Sequence, residues 1–145
     1  MSYTTATGDF NYYDLFYGER LDDLIFYVHK KLSEKLHWKY TPLKRGSFGY
    51  DSIACSIGFL LSNKSNNIRD CAEIVHNSWV SNYLFWSKIK PYELLPEYYL
   101  HPTKSLNDKR RKKLSKITYN NLPEKEKETN RIIVKILFDY FKIKY

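Results

Sequence analysis

The sequence predicts a mainly α protein, a compact helical domain with long irregular loops and room for a few short strands. Three observations carry that reading. Apolar residues recur at helical spacing in four separate stretches. Alternating runs of the kind that strands require are few. With only 5 Gly and 5 Pro in 145 residues, the chain is neither collagen-like nor a linker.

The first element is an amphipathic helix over 21–38. Leu21, Leu24, Ile25, Val28, Leu32 and Leu36 share one face, and Lys30, Lys31, Glu34 and Lys35 fill the other. A loop follows, punctuated by Pro42, Gly46 and Gly49. Within it, Lys44-Arg45-Gly46-Ser47-Phe48-Gly49 offers cations and backbone amides just ahead of a helix, which can hold a phosphate. The plainer reading, a turn that needs glycine dihedrals, is favoured. Asp51 is expected to cap a helix over 52–61, with Ile53, Ile57, Leu60 and Leu61 inward. Asn67 is expected to cap a third helix to about Trp86. Its buried stripe is Ile68, Cys71, Ala72, Val75, Trp79 and Tyr83.

Pro91, Pro96 and Pro102 preclude a long helix over 87–105, so a short helical turn at 91–95, extended pieces and loops are expected there. The last helix covers 122–141. Leu122-Pro123 sets Pro at its first position, and Glu124, Glu126 and Glu128 sit where the dipole favours acids. Ile133, Ile136, Leu137, Tyr140 and Phe141 form its apolar face. Nothing indicates a second domain, so residues 1–145 read as one.

Charge is unevenly placed. The net charge is +8, yet residues 1–100 hold 11 basic and 11 acidic groups. Residues 104–117 alone carry seven cations and one acid. That segment is read as a solvated loop or a short exposed helix. Contact with nucleic acid through it is the alternative.

The 43% apolar content supports one real core, which excludes wholesale disorder. No apolar run approaches the ~18 residues of a membrane span, and the first residues lack a secretory signal pattern. A cytoplasmic location is therefore expected. Cys55 and Cys71 read as core residues, not as a disulfide framework or metal set. Lys, Asn, Ile and Tyr supply 53 residues. Their AT-rich codons suggest a large DNA virus or a low-GC bacterium, hence host cytoplasm or virion if viral.

The familiar motifs of nucleotide hydrolysis, dinucleotide binding, acyl transfer and zinc proteolysis are absent. None of His29, His37, His76 and His101 has a ligand partner at metal spacing. An enzyme is disfavoured, and no cofactor is implied. A weak echo links 24–42 with 72–91, each with Val-His on a helix and a Trp further on.

The carboxy-terminal part, about 68–145, resembles the ryanodine-receptor repeat domain, the RyR family. Ala72, His76 and Trp79 match a helix motif, and Trp86 matches a second Trp. His101-Pro102 matches a loop-ending pair. Tyr119, Leu122-Pro123, Glu124, Lys127 and Arg131 match the run into the long helix, and Lys144-Tyr145 matches the close. Residues 20–66 would be additional amino-terminal helices. Three departures stand out: a short gap between the two Trp residues, an apparent insertion over 104–117, and Asn130 where the family usually has Asp.

The resemblance implies a non-catalytic module whose cleft takes a small anionic ligand, a nucleotide above all. By that carry-over Trp79 and Trp86 stack the base, Arg131 meets phosphate, and His76 and Tyr119 are wall residues. Trp86 is expected partly exposed and Trp79 largely buried. A single repeat lacks its second wall, which a homodimer or residues 20–61 would supply. The alternatives are a self-associating or protein-binding structural module without a small ligand, and a nucleic-acid binder acting through 104–117.

Overall fold

The computed structural model describes residues 3–4, 9–10, 20–63, 65–88 and 108–145. It is mainly helical, as the apolar spacing requires. Two short strands, β1 (Tyr3–Thr4) and β2 (Asp9–Phe10), pair antiparallel with Tyr3 opposite Phe10. The helices are α1 (Arg20–Lys35), α2 (Phe48–Ser62), α3 (Ile68–Ser87), α4 (Asp108–Leu114) and α5 (Glu124–Tyr140), with a 3-10 turn at Tyr119–Asn121 ahead of α5. The expectations for 91–95 and for His101-Pro102 lie outside the described residues.

α1 buries Leu24, Ile25, Val28 and Leu32, the stripe its spacing predicts. It stops where His37 turns left-handed at φ 57°, and Trp38 N–H returns to the Ser33 carbonyl at 2.9 Å. This is a helix stop of the kind usually built on glycine. α5 ends the same way. Lys142 has φ 57°, and Ile143 N–H donates to the Phe138 carbonyl at 2.8 Å.

α2 begins four residues before the expected start. Its cap is Ser47, whose Oγ accepts from Tyr50 N–H, and not Asp51. Gly46 takes φ 77° in the turn before it, which is the turn reading of this glycine string. Arg45 and the Tyr50 hydroxyl both bind the Asp22 carboxylate and so tie this turn to α1.

α3 starts as expected, with Asn67 Oδ1 accepting from Asp70 N–H. α2 and α3 pack most extensively, followed by α3 with α5, and α1 lies across α5 and α2. The main core joins Leu24, Ile25 and Val28 to Ile53 and Ile57, to Ala72 and Val75, and to Val134 and Leu137.

The buried face of α5 keeps Ile133, Ile136, Leu137 and Phe141 of the expected set against the core and differs at Tyr140. Val134, Ile136, Leu137 and Phe138 are buried, whereas Tyr140 is exposed. The aromatic Tyr140 is instead packed at the surface against Tyr27, with ring centres 5.3 Å apart.

A polar seam runs between α2 and α3. Ser56 and Ser78 share a hydrogen bond of 3.1 Å, and Asn82 donates to Ser52 Oγ at 2.9 Å. Small side chains here let the two helices approach closely while their hydroxyls stay satisfied.

Candidate functional site

The seam ends in a second, aromatic cluster of Phe48, Tyr83 and Trp86, with Trp79 packed against it. Phe48 is its hub. The rings of Trp79, Tyr83 and Trp86 meet it edge-on, with centres 6.4, 6.2 and 6.3 Å away. Such edge-to-face contacts are the favoured geometry of aromatic pairs. The early start of α2 is what places Phe48 here.

Along α3, His76, Trp79 and Tyr83 share one face at spacings of three and four. Their rings are nearly parallel, 15° between His76 and Trp79 and 20° between Trp79 and Tyr83.

α4 lies beside this row. At one end the Tyr83 hydroxyl donates to Asp108 Oδ1 at 2.5 Å. At the other, His76 Nε2 is 2.6 Å from the Ile117 carbonyl oxygen. Trp79 therefore sits between the two anchors of α4 on α3. Burial and the Asp108 carboxylate push the Tyr83 hydroxyl up to about 12, so it remains a donor at neutral pH.

From the middle of α4, Arg111 sets its guanidinium over the Phe48 ring, 4.8 Å from the centre. Burial lowers its pKa and neighbouring Arg110 lowers it further, while the Asp108 carboxylate one turn earlier partly opposes the fall. No carboxylate of the described residues lies within ion-pair distance of it. It remains charged, since an arginine side chain is not deprotonated in proteins.

Of the two readings of the basic segment, the short exposed helix is the one observed over 108–114, and it is anchored. No residue of α4 is buried, yet Asp108, Arg111, Leu114 and Ile117 fix it to the body at spacings of three. Arg110 pairs with Glu126 on α5.

The two tryptophans exchange the expected roles. Trp86 is buried, 4% exposed, and its Nε1 donates to Asp51 Oδ2 at 3.0 Å. Trp79 is only half-buried. The reason is Phe48 and Asp51: both come from the start of α2 and cover Trp86, which a reading of α3 alone leaves at a helix end. Burial raises the Asp51 pKa, and the Trp86 hydrogen bond partly opposes the rise.

The five residues marked by the family resemblance fall into two groups. His76, Trp79 and Trp86 are at the aromatic cluster. Tyr119 and Arg131 are at the opposite end of α3, where Arg69 lies 5.7 Å from the Tyr119 ring centre. Arg69 and Trp86 are 17 positions apart, ~25 Å along the helix.

Arg131 is already occupied. It donates to Glu128 at 2.7 and 3.0 Å and also binds Glu124, so two carboxylates answer its charge and raise its pKa. Tyr119 is buried against the main core, and its hydroxyl meets no partner at hydrogen-bond geometry, although it faces the Arg131 guanidinium closely enough to favour its charge. Neither residue shares a site with Trp79.

Phe48, Tyr83 and Arg111 are the site residues that the sequence reading did not nominate. Ser47 was the available signal for Phe48, being a cap-type residue directly after Gly46. Asp108, Arg111 and Leu114 at spacings of three were the signal for an anchored α4.

Cys55 is half-buried at the seam with its Sγ 3.9 Å from Asn82 Oδ1, and Cys71 is buried; burial raises both thiol pKa values. Neither is a poised nucleophile. Among the described residues, no group of His, Cys, Asp and Glu could hold a metal ion. No helix among them is long and apolar enough to cross a membrane.

Compared with models of protein families, with curated proteins and with solved structures, the chain matches none.

Proposed function

We propose that this chain is a non-enzymatic module, akin to a single RyR repeat, that binds a small anionic ligand with a flat ring, best fitted by a nucleotide. The observation that carries this reading is Arg111. A half-buried guanidinium on an aromatic ring, lowered in pKa and without an ion-pair partner among the described residues, gains most from an incoming anion. Trp79, half-buried on the same Phe48 ring, turns its faces to His76 and Tyr83, so its exposed edge is what a ligand ring would meet. Arg111 thereby takes the phosphate role that the resemblance assigns to Arg131. Trp86 supports the site from beneath, and His76 orients the row through its bond to the Ile117 carbonyl.

Thermal unfolding with AMP, ADP and ATP tests this. A ligand at a hundred times its Kd adds about 2.7 kcal/mol to stability. The gain should grow with phosphate number and vanish in Arg111→Ala, while Arg131→Ala keeps it. No gain with any of the three nucleotides at millimolar concentration would overturn the proposal.

A second reading, a self-associating structural module, is favoured by one observation. Tyr27, Tyr140, Phe59 and Phe85 expose large aromatic surface, 62% in the case of Phe85. Sedimentation at micromolar concentration separates the two, since this reading requires a dimer or larger.

A further inference from the structure

We propose that the outer face of the α2–α3 pair is the surface through which two copies of this chain associate, with Phe59 of one copy against Phe85 of the other. This rests on the self-association reading and gives it a surface. It does not depend on the Trp79–Arg111 corner.

α2 and α3 run antiparallel along their seam, where Ser52 faces Asn82 and Ser56 faces Ser78. To one side of the seam Ile53, Ile57 and Val75 turn into the main core. Cys55 and Phe59 lie ~60° round α2 to the other side, and Ser81 and Phe85 lie ~60° round α3 to that same side. Phe59 is 53% exposed there and Phe85 62%. The seam pairs set Phe59 level with Val75, so the two phenylalanines stand ~15 Å apart along the helices. Cys55 and Ser81 fall midway between them.

This face carries no charge. Residues 52–62 and 74–87 contain no Asp, Glu, Lys or Arg, in a chain where those types make up 28%. Two copies that each carry a net +8 repel, so they need a contact free of like charges, and this pair of helices supplies one. An acidic partner, which the net charge would otherwise attract, finds no cation here.

The spacing of the two rings favours a second copy. In a twofold dimer, a residue that meets another is answered by the same pair in reverse. An axis lying in the face, across both helices at the level of Cys55 and Ser81, carries Phe59 to the level of Phe85 and Phe85 to that of Phe59. One operation thus covers all four rings, and each helix lies antiparallel on its own copy. The pair offers ~22 Å by ~20 Å, or ~450 Å² per copy. A standard interface takes ~800 Å² per partner, so the dimer is a reversible one that forms with rising concentration.

Sedimentation equilibrium from micromolar to submillimolar concentration should show monomer and dimer in exchange. Phe59→Ser combined with Phe85→Ser should weaken the dimer by about ten-fold or more, as loss of central aromatic contacts does. Both rings are exposed, so the variant keeps its fold, which its unfolding midpoint checks. Cross-linking locates the axis. In a Cys55→Ser background, Ser81→Cys meets its own copy and should be joined by a short bismaleimide. Lys88→Cys, ~24 Å from its copy, should not be joined.

A dimer that persists in the double serine variant overturns this surface while self-association stands. So does cross-linking at Lys88→Cys without cross-linking at Ser81→Cys. A wild type that stays monomeric throughout removes both, whether the face is covered by another part of the chain or by a different protein.

Discussion

The Arg111 guanidinium lies over the Phe48 ring at 4.8 Å, joining the start of α2 to the middle of α4. Phe48 is also the ring that Trp79, Tyr83 and Trp86 all meet edge-on. One phenylalanine thus gathers side chains from α3 and α4, and its burial at 6% exposure makes it the floor of the candidate site.

The two tryptophans should separate in stability. Trp86 is buried and hydrogen-bonded to Asp51, so Trp86→Ala should cost about 3–5 kcal/mol, as for other large aromatic truncations. Trp79→Ala, at a half-buried position, should cost clearly less. Urea unfolding of both variants measures this, and equal losses would contradict the burial difference.

Asp51 predicts a dependence on pH. Its folded-state pKa is raised above its ordinary value by burial. Between those two values the folded chain binds more protons than the unfolded one, so this group's contribution to stability falls as pH rises. Asp51→Asn keeps an oxygen to accept from Trp86 Nε1 and removes the charge. The variant should be at least as stable as the wild type at pH 7, and the difference should shrink as pH falls towards 4. Chemical denaturation at a series of pH values checks both points.

Lys142 ends α5 in a left-handed conformation at φ 57°. Glycine adopts that conformation without the Cβ conflict. Lys142→Gly should stabilise the protein by about 0.5–1 kcal/mol after the greater freedom of glycine in the unfolded chain is subtracted. A lower unfolding midpoint for the variant would count against this account of the helix stop.

Arg131 should behave as a helix-stabilising residue. It bridges Glu124 and Glu128 at the first turns of α5, all partly or well exposed. Exposed pairs contribute little, so Arg131→Ala should cost about 1 kcal/mol or less. Its affinity for nucleotides should equal that of the wild type, as isothermal titration would show.

Much of the helical frame was legible in the residue pattern. α1 and α3 appear with nearly the expected bounds because their stripes and the Asn67 cap are local signals, set by spacing within one helix. The packing of α3 on α5 follows from two apolar faces that must be buried together. Trp79 packs with the Phe48 cluster at the far end of the α2–α3 seam. The α5 face gains Val134 and Phe138 and loses Tyr140, while Ile133, Ile136, Leu137 and Phe141 stay on the core, because only the neighbouring helices select how far round the apolar face is covered.

What the sequence by itself determined is therefore the set of helices, most of their boundaries and the apolar stripes. These depend on residues within a few positions of one another. The tertiary structure alone decided the site. Trp86 is buried because Phe48 and Asp51, 38 and 35 positions earlier, fold over it. Arg111 is singled out from a run of like cations because Phe48 lies beneath it. Arg131 is separated from Trp79 because it gathers with Tyr119 beside Arg69, ten positions or ~15 Å along α3 from Trp79. Exposure and ion pairing are set by which distant surfaces meet, and no local spacing encodes them.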